Sequence, residues 1–200
     1  MRRSKLLSGG IDGNEQLTAI TGVTLLVLLA ILGLTIVRIG QLMWLHLFLG
    51  LLLLGPVLLT LASTGYRFAR YYLRDAIYRS KGPPALALRA MGPVIVLSTV
   101  VVFVSGIVLL FDGPAKRGTP LLIHKVSFIV WLVFMVVHVV GHVPGTGHAL
   151  HASERGSGAA GRWIALGGAI VGGVVLALVL IPDFSVWTAP GALPHHHHGG

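Results

Sequence analysis

Cysteine is absent from the 200-residue chain. That excludes disulfides, thiolate metal sites, iron–sulfur clusters held by this chain and c-type haem attachment. Any cofactor has to be held by nitrogen, oxygen or methionine sulfur. Charge is also scarce: 10% of residues are charged, where soluble globular chains carry roughly 25%. Only six residues are acidic, and no Asp, Glu or Arg lies deep in any long apolar run. There is no Gly-x-Gly-x-x-Gly after a strand and no phosphate loop, so nothing marks a nicotinamide, flavin or nucleotide site.

What fills the chain is apolar. Hydrophobic residues make up 54% and the mean hydropathy is +0.86. A chain this short cannot hide so much apolar surface in one water-soluble core, and disorder requires low hydrophobicity. Leu, Val and Ile come in blocks of about 20 residues, the length that crosses a bilayer. Five such blocks run approximately Leu17–Val37, Leu42–Ala62, Met91–Phe111, Leu121–Val143 and Trp163–Ile181. Barrel strands would be shorter and would alternate in polarity. The sequence therefore predicts an all-α, polytopic bundle of five membrane-spanning helices. It forms one domain over residues 1–200, with a polar tail from 182 to 200.

The net charge of +9 would suggest nucleic acid in a soluble chain, but here the basic residues sit in connections between apolar blocks. Eleven lie on one side: Arg2, Arg3 and Lys5; Arg67, Arg70, Arg74, Arg79, Lys81 and Arg89; Arg155 and Arg162. Four lie on the other: Arg38, Lys116, Arg117 and Lys125. The positive-inside rule then puts the N-terminus in the cytoplasm and the C-terminus outside. Lipid is the expected partner of these cations, not nucleic acid. The connection Gly65–Ala90, with its interleaved Tyr, Phe and Arg, is expected to lie along the headgroups. Trp44, Trp163 and Trp187 fall at interfaces, whereas Trp131 lies mid-span. Gly168 and Gly172 form a Gly-x-x-x-Gly pair that lets backbones approach. The terminal run His195–His198 reads as an exposed polar tail.

The ionisable residues inside the spans are histidines: His46 in the second, and His124, His138 and His142 in the fourth. An ionisable group in a bilayer marks a functional site by default. His124 and His138 are fourteen residues apart, and His142 stands eighteen from His124. At 3.6 residues per turn all three share one stripe of one helix, with His138 about 21 Å below His124. The second and fourth spans run in the same direction, and His46 and His124 each lie about five residues in from the outer boundary. Two imidazoles at equal depth on two helices can hold one flat ring between them, and haem iron accepts two axial imidazoles. Gly50, one turn below His46, leaves room for a porphyrin. Arg38 and Lys125 lie near the outer ends of these helices, where anionic propionates need cations.

The run His124-Lys125-Val126-Ser127-Phe128-Ile129-Val130-Trp131, continuing to His138-Val139-Val140-Gly141-His142, resembles a haem-bearing helix of a bacterial integral-membrane cytochrome b. The segment His46-Leu47-Phe48-Leu49-Gly50, followed by Ser63-Thr64-Gly65-Tyr66-Arg67 and Gly82-Pro83-Pro84, resembles small actinobacterial members of that superfamily. The resemblance covers roughly Leu42 to His142. It implies haem b, transmembrane electron transfer, and His46 and His124 as axial ligands.

The chain departs from the di-haem pattern of that superfamily. Fourteen residues after His46 stands Thr60, which cannot replace an imidazole. His138 and His142 thus lack an evident partner on another helix, unless His148 and His151 fold back from the following loop or a second subunit supplies one; otherwise the inner stripe is a proton or quinone site, or is simply hydrogen-bonded. One outer haem is expected, with a second left open. The favoured function is a haem b electron-transfer protein, passing electrons between a quinone or other donor and an outer-face partner. It would act alone, as a homo-oligomer, or as the cytochrome b subunit of a membrane oxidoreductase. The alternatives are a histidine-lined proton or metal transporter and a structural subunit of a membrane complex.

Overall fold

The computed structural model describes residues 10–73, 86–153 and 159–189, with side chains at 13–14, 16–73, 90–141 and 160–189. The described residues form six helices and no strand: α1 (Gly10–Val37), α2 (Ile39–Tyr72), α3 (Leu86–Asp112), α4 (Gly118–Ser153), α5 (Ala159–Val179) and α6 (Ile181–Thr188). Lipid offers no hydrogen bonds, so each long apolar block satisfies its backbone internally as a helix. The first five helices are long and apolar enough to cross a bilayer. Their outward faces expose Leu, Val and Ile from end to end, a surface suited to lipid tails. The architecture is that of a multi-pass membrane protein.

The connections are short. Only Arg38 (φ −129°, ψ 46°) separates α1 from α2, and its carbonyl accepts from the backbone of Gln41 and Leu42. Between α3 and α4 the chain turns at Gly113, whose φ of 72° lies in the left-handed region that favours glycine. Pro114 then opens a single 3-10 turn, Pro114–Lys116. Both turns lie at the same end of the bundle, the far end. The start of α1 marks the near end.

Helices α1 to α4 form a ring. α1 packs along α2, α3 packs along α4, α1 also touches α4, and α2 meets α3 more sparsely. α2 and α4 are therefore diagonal, with almost no backbone contact between them. On α4 the half-buried residues form one stripe that includes Leu121, His124, Phe128, Trp131, Met135 and His138. Trp131, mid-span in the sequence, belongs to this inward stripe and stacks on Phe128.

α5 packs outside the ring, against α2. Pro56 in α2 has no N–H and leaves the carbonyl of Leu52, four residues back, without its helical donor. Gly173 of α5 rests on that carbonyl, and Gly55 rests on the carbonyl of Ala169; a Cβ on either glycine would collide with the opposite backbone. The close approach expected of Gly168 and Gly172 is thus made by Ala169 and Gly173. Gly168 and Gly172 themselves face open space, because they lie on the side of α5 turned away from α2.

Three boundaries differ from the sequence expectation. Gly65–Tyr72 is not a separate headgroup segment but the continuation of α2, which runs 30 residues beyond its kink at Leu42, or about 45 Å against a hydrocarbon core of about 30 Å; residues 74–85 of that connection lie outside the described residues. The residues following Val143 continue α4 to Ser153, so His148 and His151 lie on a helix rather than in a loop that folds back. Residues 182–188 are helical rather than polar tail. Phe184 (1% exposed) and Trp187 (6%) are buried, and the Trp187 indole N–H donates to the carbonyls of Leu109 and Leu110 at the end of α3. Phe184 meets Trp44 edge-on, and Trp44 stacks on Phe48. α6 therefore caps the far end of α2, α3 and α5. Trp187 is an anchor within the protein rather than an interfacial belt residue, whereas Trp44 and Trp163 are exposed as expected. The terminal His195–His198 run lies outside the described residues.

Candidate functional site

His46 is the eighth residue of α2 and His124 the seventh of α4. Both helices start at the far end and run the same way, and α2 is kinked at Leu42 (φ −110°, ψ 18°), four residues before His46. They project from diagonal helices.

Each ring is held by a hydroxyl from one of the two intervening helices. Thr35 of α1 donates its proton to the carbonyl of Leu32 at 2.6 Å. Its oxygen, 2.8 Å from His46 Nδ1, is therefore left to accept from the ring N–H. His124 Nδ1 lies 3.0 Å from the carbonyl of Val102, which can only accept. Ser105 Oγ stands 3.1 Å from the same nitrogen and sends its own proton to Val101, at 2.6 Å. Both histidines thus carry hydrogen on Nδ1. In the neutral ring this leaves the Nε2 lone pair as the free donor, the tautomer that metal-ligating histidines adopt when a second group orients them. Gly106 makes room for this arrangement: a Cβ there would come 3.2 Å from His124 Cε1.

The surroundings of His46 are apolar. Gly50 lies one turn from His46 on the same side of α2, and a Cβ added there would meet nothing within 4 Å. Nearby stand Leu47, Phe48, Leu49 and Leu53 of α2, with Leu49 and Leu53 buried. Among the described residues no three His, Asp or Glu side chains converge as a ligand set.

The remaining residues singled out by sequence are less tightly joined to this pair. Arg38 and Lys125 are exposed at the far end, with Lys116 exposed and Arg117 half-buried in the α3–α4 turn. His138 lies on the inward stripe of α4, far below His124. The side chain of His142 lies outside the described residues. Sequence reasoning missed Thr35, Ser105, Val102 and Gly106. Thr35 had a usable signal: it sits eleven residues before His46 across a one-residue turn, which an antiparallel hairpin brings level.

No family model, no curated protein and no solved structure matches the chain.

Proposed function

We propose that the protein is a membrane haem b protein that carries electrons to or from a partner at its outer face. His46 and His124 would hold a single haem through its iron. The observation that carries this reading is a pair of histidines near the far ends of two diagonal helices that run the same way, each with Nδ1 hydrogen-bonded. The haem, when bound, would supply a one-electron couple. The chain's own residues do the rest. Thr35 and Ser105 fix the ring tautomers, Gly50 keeps α2 flat beside His46, and Leu, Val and Phe exclude water. Arg38 and Lys125 offer cations to propionates at the far end. A quinone or a membrane reductase is the proposed donor, in keeping with the resemblance to membrane cytochromes b.

The test is the spectrum of the purified protein from haem-replete cells. It should be red, with a dithionite-reducible b-type absorbance and one haem per chain. A colourless protein that moves protons or metal ions across vesicles would instead favour the transporter.

The supporting hydroxyls give a second expected result. Thr35→Val and Ser105→Ala leave both ligands in place but free one ring to change tautomer. Each should weaken haem retention by about tenfold or more, the usual cost of losing an orienting partner, measured by haem transfer to apomyoglobin. Unchanged retention in both variants would remove these residues from the site.

The proposed orientation places the near end in the cytoplasm, on the strength of the eleven-to-four distribution of basic residues. An alkaline phosphatase fusion after Gly200 should be active, and one after Ser80 inactive. The reverse pair of activities would invert the bundle.

A further inference from the structure

The near half of the ring holds a second polar layer. Thr21 of α1 stands fourteen residues before Thr35, Thr60 of α2 fourteen after His46, and His138 of α4 fourteen after His124. Each lies nearly under its counterpart, since fourteen residues fall about 40° short of four turns. The antiparallel register that pairs Thr18 with Ser63 and Thr35 with His46 sets Thr21 opposite Thr60. α1 packs on both α2 and α4 and joins the three.

The two threonines differ from most other hydroxyls of the bundle. Thr18, Thr24, Ser63, Ser98 and Thr99 donate back to carbonyls of their own helices. Thr21 Oγ1 and Thr60 Oγ1 are buried without a hydrogen-bond partner in the protein, and Thr21 is 0% exposed. Such hydroxyls in an apolar interior are unfavourable unless water satisfies them. Toward the near end the same α1/α2 seam stays polar. Thr18 and Ser63 hydroxyls lie 3.3 Å apart, and the Asn14 amide donates to the Ser63 carbonyl at 3.2 Å. Toward the far end it becomes apolar, with Leu49, Leu53 and Pro56 buried on α2.

We propose that water enters the bundle from the near end along this seam and stops at Thr21 and Thr60. It would give His138 proton exchange with the near-side solution, the cytoplasm in the proposed orientation. Hydroxyls and water both donate and accept, so a proton can pass along them to an imidazole that binds it on a ring nitrogen. The packed neighbours carry no competing charge at this level: α1 between Leu17 and Val37 and α3 between Met91 and Phe111 contain no titratable side chain. On α4 the next titratable residue is His142, one turn nearer the solution. The proposal needs no haem. It rests on the fold, and its direction rests on the orientation.

The cysteine-free chain makes a direct test available. Thr60→Cys, His138→Cys and Leu53→Cys are each placed in membrane vesicles of both orientations and treated with 2-aminoethyl methanethiosulfonate. Leu53, 0% exposed between the two layers, is the dry reference. The thiols at positions 60 and 138 should react from the near side at least about tenfold faster than that at 53, because a thiol in apolar surroundings stays protonated. Thr21→Val combined with His138→Cys should slow labelling at 138. The unsubstituted protein gives a second measure. Backbone amides of 18–24 and 57–63 should exchange with deuterium faster than those of 25–31 and 49–55. Equal rates at 53, 60 and 138, or uniform exchange along α1 and α2, would overturn the proposal. A colourless protein leaves these results untouched, and a dry seam leaves a haem spectrum untouched, so the two proposals fail separately.

Discussion

Gly173→Val and Gly55→Ala should each detach α5 from α2 and lower the thermal stability of the detergent-solubilised protein more than any other single glycine change. The cause is backbone against backbone. A side chain at 173 runs into the carbonyl of Leu52, and one at 55 runs into the carbonyl of Ala169. Neither obstacle is a flexible tip that can swing aside, so the helices must separate. Overpacking of this kind costs about 1–3 kcal/mol, and here it also removes the close contact on the Leu52 carbonyl that Pro56 leaves without a helical donor. Gly168→Val and Gly172→Val are the controls. Both face open space and should leave stability within about 0.5 kcal/mol, the range of surface changes. A melt in which Gly172→Val is as damaging as Gly173→Val would mean that α5 is rotated from the position described.

The second large effect falls on the histidines. His46→Ala and His124→Ala should each abolish the low-spin haem signal, not halve it, because one imidazole cannot occupy both axial positions. His138→Ala should leave that signal intact, since His138 lies about 21 Å further along α4. Haem content measured by pyridine haemochrome separates these outcomes. Full low-spin haem in both His46→Ala and His124→Ala would remove the pair from the site.

Much of this was readable from residue order, and the exceptions have physical reasons. Five blocks of Leu, Val and Ile give five spans because hydrocarbon admits only helices here. The placement of His46 and His124 near the far ends of α2 and α4 followed from counting residues from the span starts. The partners of those rings were not readable. Thr35 and Ser105 are helical hydroxyls whose usual role is to donate to their own helix, and both do so. Only the rotation of α1 and α3 turns their remaining lone pairs toward imidazoles. The choice of Gly173 over Gly172 likewise depends on rotation about the α5 axis, which a run of four glycines in seven residues does not encode. α6 is too short for periodicity to reveal. Its signals are a proline at the start and Phe184 and Trp187 three residues apart, a spacing that puts both rings on one face.

The central claim is that the Nε2 atoms of His46 and His124 bind one iron. Low-temperature electron paramagnetic resonance of the oxidised, purified protein tests it most directly, with pulsed detection of nitrogen couplings after labelling histidine with nitrogen-15. The account predicts a low-spin ferric signal with two histidine nitrogens coupled to the iron, lost in both His46→Ala and His124→Ala. A protein with no ferric haem signal, or a high-spin signal with a single histidine nitrogen, would contradict it.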